Sequence, residues 1–369
     1  MIFSTSLAHK IAALKQNTHP ISAGRLTFSS PLLLAPLAGL TTTPFRLLML
    51  ELGAGGAVSE LISGNGITYN NQKTINMLKI DQREREHVGI QLFGERPLAI
   101  AESAKIAEAE GARFIDLNMG CPVKKVVSKG GGAALLRKPQ ELFAFLEPIK
   151  HAISIPLTIK IRLGPNSQEI TAPEVLKVAH DLAIEMVAIH GRTAVQFYTG
   201  TVNWDAIEEL AKLAQSLPRQ LPIIGNGDLH TPSAVQKRLA ITNCQGLMLG
   251  RGALKNPFIF LHGVSPHTDI CFSGHDYFEV LLRLNHHLDH SIREDREEGR
   301  LMQMKKFAVS FASGINNASQ FRGKIWPITN RKDLLDLAYE FYSKIENVDV
   351  FKDQVSSEAD SELLDVHKS

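Results

Sequence analysis

The chain has 369 residues, 44% of them hydrophobic and 21% charged, with a net charge of +2. That is the balance of a globular protein, and no apolar run reaches the about 18 residues that would span a bilayer. Its three cysteines, Cys121, Cys244 and Cys271, are too few and too scattered for a disulfide framework or a zinc cluster, so no metal is expected and any cysteine chemistry falls to a single thiol.

The first ten residues lack the charged-then-apolar order of a signal peptide, which predicts a cytoplasmic location. Residues 1–20 read as an extension with a short helix over Ala8–Lys15. Apolar runs then recur at Leu32–Ala35, Ala57–Ile62, Val88–Phe93, Phe114–Asn118, Leu157–Ile161, Met186–His190, Pro222–Gly225 and Gly246–Gly250. They are near-continuous rather than alternating, as parallel strands buried on both faces are. Helical stretches lie between them, among them Pro97–Glu110, Gln140–Ile149, Ala172–Ala183 and Trp204–Ala214. Eight such units across 21–265 predict an α/β fold, a closed (β/α)8 TIM barrel. An open doubly wound sheet would carry a glycine fingerprint after its first strand. Here that strand runs into Pro36-Leu37-Ala38-Gly39-Leu40-Thr41, with Thr41 or Thr42 placed to cap a helix that has Pro44 in its first turn.

Beyond the barrel the spacing turns helical. Tyr277, Val280, Leu281, Leu284 and Leu288 form one stripe, Leu301, Met304, Phe307, Ala308 and Phe311 a second, and Leu334, Leu337, Ala338 and Phe341 a third. Residues 266–345 are therefore expected to form a small all-helical C-terminal domain. The tail 346–369 holds seven acidic and two basic residues and is expected to be disordered, which leaves +7 on the preceding residues. A mildly basic body is compatible with a polyanionic partner.

Residues that break the apolar pattern cluster at the C-terminal ends of the strands, where such barrels build their sites. They include Gln91, Asn118, Cys121, Lys160, Arg162, His190 and Arg192. The turns Gly225-Asn226-Gly227-Asp228 and Gly250-Arg251-Gly252 follow the seventh and eighth strands, where backbone N–H groups commonly hold a phosphate. Lys160, inside an apolar strand, needs a partner, either a barrel carboxylate such as Asp116 or an anionic ligand. Cys121 opens a loop with Lys124, Lys125 and Lys129 and three glycines, Gly130 to Gly132; nearby cations favour a thiolate.

Six runs, in order, resemble tRNA-dihydrouridine synthases, with the bacterial B-type branch nearest. They are Leu34-Ala35-Pro36-Leu37-Ala38-Gly39, Asp116-Leu117-Asn118-Met119-Gly120-Cys121-Pro122-Val123-Lys124-Lys125, Lys160-Ile161-Arg162, Ile189-His190-Gly191-Arg192-Thr193, Gly225-Asn226-Gly227-Asp228 and Gly250-Arg251. The resemblance implies an FMN-bound barrel that uses NADPH to reduce one uridine of tRNA to dihydrouridine, with hydride passing from flavin N5 to C6 of the uracil and a proton from Cys121 to C5. It implies FMN contacts from Pro36, Leu37, Ala38, Gln91, Lys160, His190, Asn226, Gly227, Asp228, Gly250 and Arg251. Asn118, Lys124, Lys125 and Arg192 would meet the substrate. The partners implied are tRNA and no membrane, with the protein a monomer. Two rival readings are a dihydroorotate-type dehydrogenase of free pyrimidines and a non-catalytic tRNA-binding factor. The helical region and the three loop lysines argue against the first, and Cys121, Lys160 and Gly250-Arg251 against the second. The choice of uridine follows from how the helical domain orients the tRNA, and no motif encodes that angle.

Overall fold

The computed structural model describes residues 3–68, 71–265, 269–292 and 296–349. Its strands are β1 (Ile21–Ala23), β2 (Leu26–Phe28), β3 (Leu32–Leu34), β4 (Gly56–Val58), β5 (Ile62–Ser63), β6 (Val88–Phe93), β7 (Phe114–Met119), β8 (Leu157–Arg162), β9 (Met186–His190), β10 (Ile223–Asn226) and β11 (Gly246–Leu249). Parallel pairing runs from β4 through β3, β11, β10, β9, β8 and β7 to β6, and the β4–β6 pairing closes the ring. This is the expected eight-stranded TIM barrel. The run expected as one strand over Ala57–Ile62 is split into β4 and β5. At the break, Ser59 Oγ accepts the Gln91 N–H (2.9 Å), so a side chain replaces a ladder carbonyl.

The wall has two faces. Ile115, Leu117 and Met119 of β7 point outward to the helices with Ile159, Ile161, Val187 and Ile189. The alternate residues point inward, and their polarity rises along each strand. β7 reads Phe114, Asp116, Asn118 from bottom to top, β8 Thr158, Lys160, Arg162, and β9 Met186, Ala188, His190. The bottom is plugged by the β1–β2 hairpin, which the strand pattern did not foretell. Ile21, Ala23, Leu26 and Phe28 pack on Leu33, Met186 and Ile224, and Phe28 meets Phe114 edge to face at 6.1 Å. Arg25 Nε holds the turn to Glu185 Oε1 at 2.6 Å. The polar end is thus the open end.

The helix expected over Ala8–Lys15 starts earlier, at Thr5, because the Ser4 side chain accepts from Leu7 N. The helix after β3, Thr43–Glu51, is preceded by Thr42, but that hydroxyl donates to Gln303 Oε1 (2.9 Å) instead of capping. The C-terminal region holds the helices Gly274–Asp289, Glu297–Phe311, Ala318–Ile325 and Arg331–Tyr342, the first opened by a Ser273–Asp276 capping box. It shares one hydrophobic core with the barrel, with Phe45 stacked on Phe307 at 4.5 Å. Val348 bridges back to Phe272, and 350–369, most of the tail expected to be disordered, lies outside the described residues. Among the described residues no helix is long and apolar enough to cross a membrane.

Candidate active site

A buried chain of hydrogen bonds crosses the barrel mouth from β8 to the loop after β7. Thr158 Oγ1 donates to Asp116 Oδ1 (2.6 Å), and Gln91 Nε2 donates to Asp116 Oδ2 (2.7 Å). Asn118 Nδ2 donates to Gln91 Oε1 (2.9 Å), and Asn118 Oδ1 accepts the Cys121 N–H (2.8 Å). Burial pushes the Asp116 carboxyl up, opposed by Gln91 and Thr158. Both Asp116 oxygens are occupied, so Lys160 turns elsewhere: its Nζ donates to Asn226 Oδ1 (3.0 Å), whose amide donates to Met248 O (2.7 Å). Burial, aided by Arg162, lowers Lys160 to about 8.

Cys121 is half-buried, and burial pushes its thiol up despite Arg162 and Lys160. Burial thus outweighs the pull of the nearby cations toward a thiolate. The loop lysines Lys124, Lys125 and Lys129 are exposed, where water screens them, while desolvation acts on the sulfur directly. The loop is also folded. Lys124–Val127 forms one helical turn, and Ala133 N donates to Cys121 O (3.0 Å). Gly132 sits at φ +58°, where a Cβ would lie 2.7 Å from Cys121 O, so only glycine lets the loop close this tightly.

A cleft beside Lys160 collects Pro36, Leu37, Lys160, His190, Asn226, Gly227, Asp228, Gly250 and Arg251 from the expected set. Gln91 stands behind it in the Asp116 chain, while Ala38 is exposed on the loop beyond Leu37. That loop is clamped, since Thr41 Oγ1 both accepts from Leu37 N (2.9 Å) and donates to Leu37 O (3.1 Å). Burial and the cations Lys160, Arg162 and Arg192 hold His190 well below its usual range, so it is neutral at physiological pH.

Arg192, expected at the substrate, has its guanidinium engaged within the protein. It is 3% exposed and forks onto Asp228 at 2.9 and 2.7 Å, with Nε on Thr199 O (3.1 Å) and Nη2 also reaching Gly200 O. Its work is to fix Asp228 and the loop after β9. Burial alone would raise the Asp228 carboxyl, but His230 and Arg192 hold it well below the usual range; Arg251 adds a third contact at 3.2 Å. The sequence reading also missed residues of the cleft. Tyr198, 42% exposed, lies 5.6 Å from the Arg162 guanidinium and 5.4 Å from that of Arg251, and His230 lines the cleft with its Nδ1 buried and unpartnered. An aromatic in a loop carries no periodic signal, so only the folded chain brings Tyr198 to the mouth.

The family described as Dihydrouridine synthase (Dus) matches residues 33–346. A Rickettsia bellii protein named "Probable tRNA-dihydrouridine synthase" is 31% identical over 89% of this chain and 99% of its own length. A Treponema pallidum protein of the same name is 34% identical over 82% of this chain and 90% of its own. The tRNA-dihydrouridine synthase B of Xanthomonas campestris is 35% identical over 64% and 70%. Among solved structures, the 6-hydroxypseudooxynicotine amine oxidase of Pseudomonas geniculata superposes with a TM-score of 0.51 at 12% identity, over 67% of this chain and 49% of that one. That likeness speaks for the fold alone.

Proposed function

The chain belongs to the dihydrouridine synthase family, and from that premise we propose that it is an FMN-dependent, NADPH-linked tRNA-dihydrouridine synthase, reducing the C5–C6 bond of a uridine in tRNA. The observation that carries this reading is Cys121, a half-buried thiol kept protonated, its backbone tied to Asn118 beside the cleft.

The cleft fits FMN. Gly250 has no positive φ to explain it, and a Cβ there would meet Leu37 and Ala35 only at 3.5 and 3.6 Å. As a glycine it leaves that part of the cleft wall open. The buried, unpartnered His230 Nδ1 is a spare polar atom in the same wall. Lys160 and Gln91 would hold the flavin ring, Pro36 and Leu37 flank it, and Asn226, Gly227, Gly250 and Arg251 hold the phosphate, with Asp228 neutralised by Arg192. When bound, FMN supplies two-electron hydride chemistry.

The chain's own residues do the rest. Asn118 orients the uracil, and Cys121 gives its proton to C5. Tyr198 and Arg162 stand at the mouth, where a base taken out of its stack must enter. Lys124 and Lys125, exposed one turn from Cys121, meet phosphates.

The purified protein is expected to show a flavin absorption band near ~450 nm. Its deletion should remove dihydrouridine from one set of tRNA positions, read by position-resolved mapping; full dihydrouridine content in the deletion strain, with reduction of free pyrimidines by the protein, would sink the reading. Lys160 is charged below about 8 and neutral above it. Its charge would offset the negative charge of a reduced ring, which in turn raises the lysine's proton affinity, so NADPH-driven flavin reduction should slow as pH rises through that value or above it. Stopped-flow traces of Lys160→Met should be slower at pH 7 and lack the inflection.

A further inference from the structure

The family match begins at residue 33, so the family resemblance gives the N-terminal helix no task. Its contacts suggest one. Leu7, Ile11 and Leu14 are buried along one side, and the helix packs on the barrel helix Ile259–Val264. Asn17 Nδ2 donates to Ser265 Oγ at 3.2 Å, just after that helix. Further contacts go across to Gly274–Asp289, the first helix of the C-terminal region, and to Phe272 just before it. Lys10 Nζ reaches Asp276 Oδ2 at 2.7 Å and lies 5.7 Å from the Phe272 ring centre. The Ser4 N–H donates to Glu279 Oε2 at 2.8 Å, and the Arg283 guanidinium lies 5.9 Å from the Phe3 ring centre.

A second link lies alongside. Glu51, the last residue of the barrel helix Thr43–Glu51, pairs with Arg283, whose Nε donates to its Oε2 at 2.8 Å, and with His287 at 3.2 Å. Lys15 of the N-terminal helix feels the Glu51 charge as well. Four helices, one from the N-terminal segment, two from the barrel and one from the C-terminal region, are therefore stitched together here.

We propose that the helix Thr5–Lys15 is a strap that sets the angle between barrel and helical region, and so helps select which nucleotide of the RNA reaches Cys121. The inference rests on the tRNA reading above. If the helical region holds the RNA body and the barrel holds the target base, a small rotation at the junction becomes a shift of ångströms at the thiol. A misplacement of about 1 Å can cost on the order of a hundredfold in rate. Lys10, Ile11 and Ser4 are positioning residues in this scheme; none lines the cleft.

The test uses the full-length protein. Lys10→Glu sets like charges against Asp276, Ile11→Ala loosens the packing face, and Lys10→Arg keeps the charge. FMN content and NADPH-driven flavin reduction should stay parental in all three, which reads the barrel without RNA. In Lys10→Glu and Ile11→Ala, kcat/KM for tRNA should fall by about tenfold and dihydrouridine should spread to a neighbouring uridine, whereas Lys10→Arg should behave as the parent. A parental positional profile and kcat/KM in both loosened variants, with protease showing the N-terminal helix released, would overturn the strap. A parent protein that forms no dihydrouridine in any tRNA would instead sink the functional reading.

Discussion

Cys121→Ala is expected to keep its flavin and its rate of reduction by NADPH, yet to lose dihydrouridine formation by about 10²- to 10⁴-fold, the usual worth of a positioned general acid. The reason lies in the separation of parts. Among the described residues the cleft is lined by Lys160, Asn226 and Arg251 but not by Cys121, so removing the sulfur should leave the proposed flavin contacts intact. Burial holds the thiol protonated above its ordinary range, so near neutral pH it carries the proton that C5 of a reduced uracil needs. Cys121→Ser retains an O–H of far higher pKa and should recover only a small part of the rate. Single-turnover mixing of reduced variant with tRNA separates the two halves of the reaction. Normal product from Cys121→Ala would remove the thiol from the mechanism.

The largest expected effect on stability is at Glu84. Arg46 and Glu84 form an ion pair with both side chains 0% exposed, joined at 2.6 and 2.8 Å. Glu84→Ala strands the Arg46 guanidinium in the core and should cost about 3–5 kcal/mol, read as a lower urea midpoint. Replacing both, Arg46→Met with Glu84→Leu, should recover most of that loss, because an apolar pair of similar volume avoids the desolvation of two charges. The double variant should still bind FMN more weakly. Arg46 Nη1 also donates to Thr41 O (2.6 Å), and Thr41 clamps the Leu37 backbone in the cleft wall. Parental FMN affinity in a stably folded double variant would show that the clamp does not depend on Arg46.

The barrel, its strand ends and most of the cleft were legible in the sequence because their signals are local. A strand buried on both faces must be apolar along its length, so Lys160, Gln91 and Asn118 stand out wherever they break such a run. Glycine turns after β10 and β11 declare themselves in the same way, and the helical stripes after residue 273 follow a period of 3.6. The six family runs pointed to the family, which spacing alone does not carry.

What the fold decided involves partners far apart in the chain. The β1–β2 hairpin is an ordinary pair of short strands until Phe28 meets Phe114 in the barrel floor. Arg192 reads as a free cation at a strand end, but Asp228, thirty-six residues away, claims its guanidinium. Tyr198 becomes a mouth residue only when its loop folds back over Arg162 and Arg251. The Cys121 thiol depends on a contest that the sequence states only in part: the lysines are visible in the run, but the burial that outweighs them is a property of the packed loop. Residue type and period are written along the chain, so the sequence determined the architecture and most of the residues that gather in the cleft. Burial, pairing and proton affinity depend on what else occupies the same space, and for those the tertiary structure was decisive.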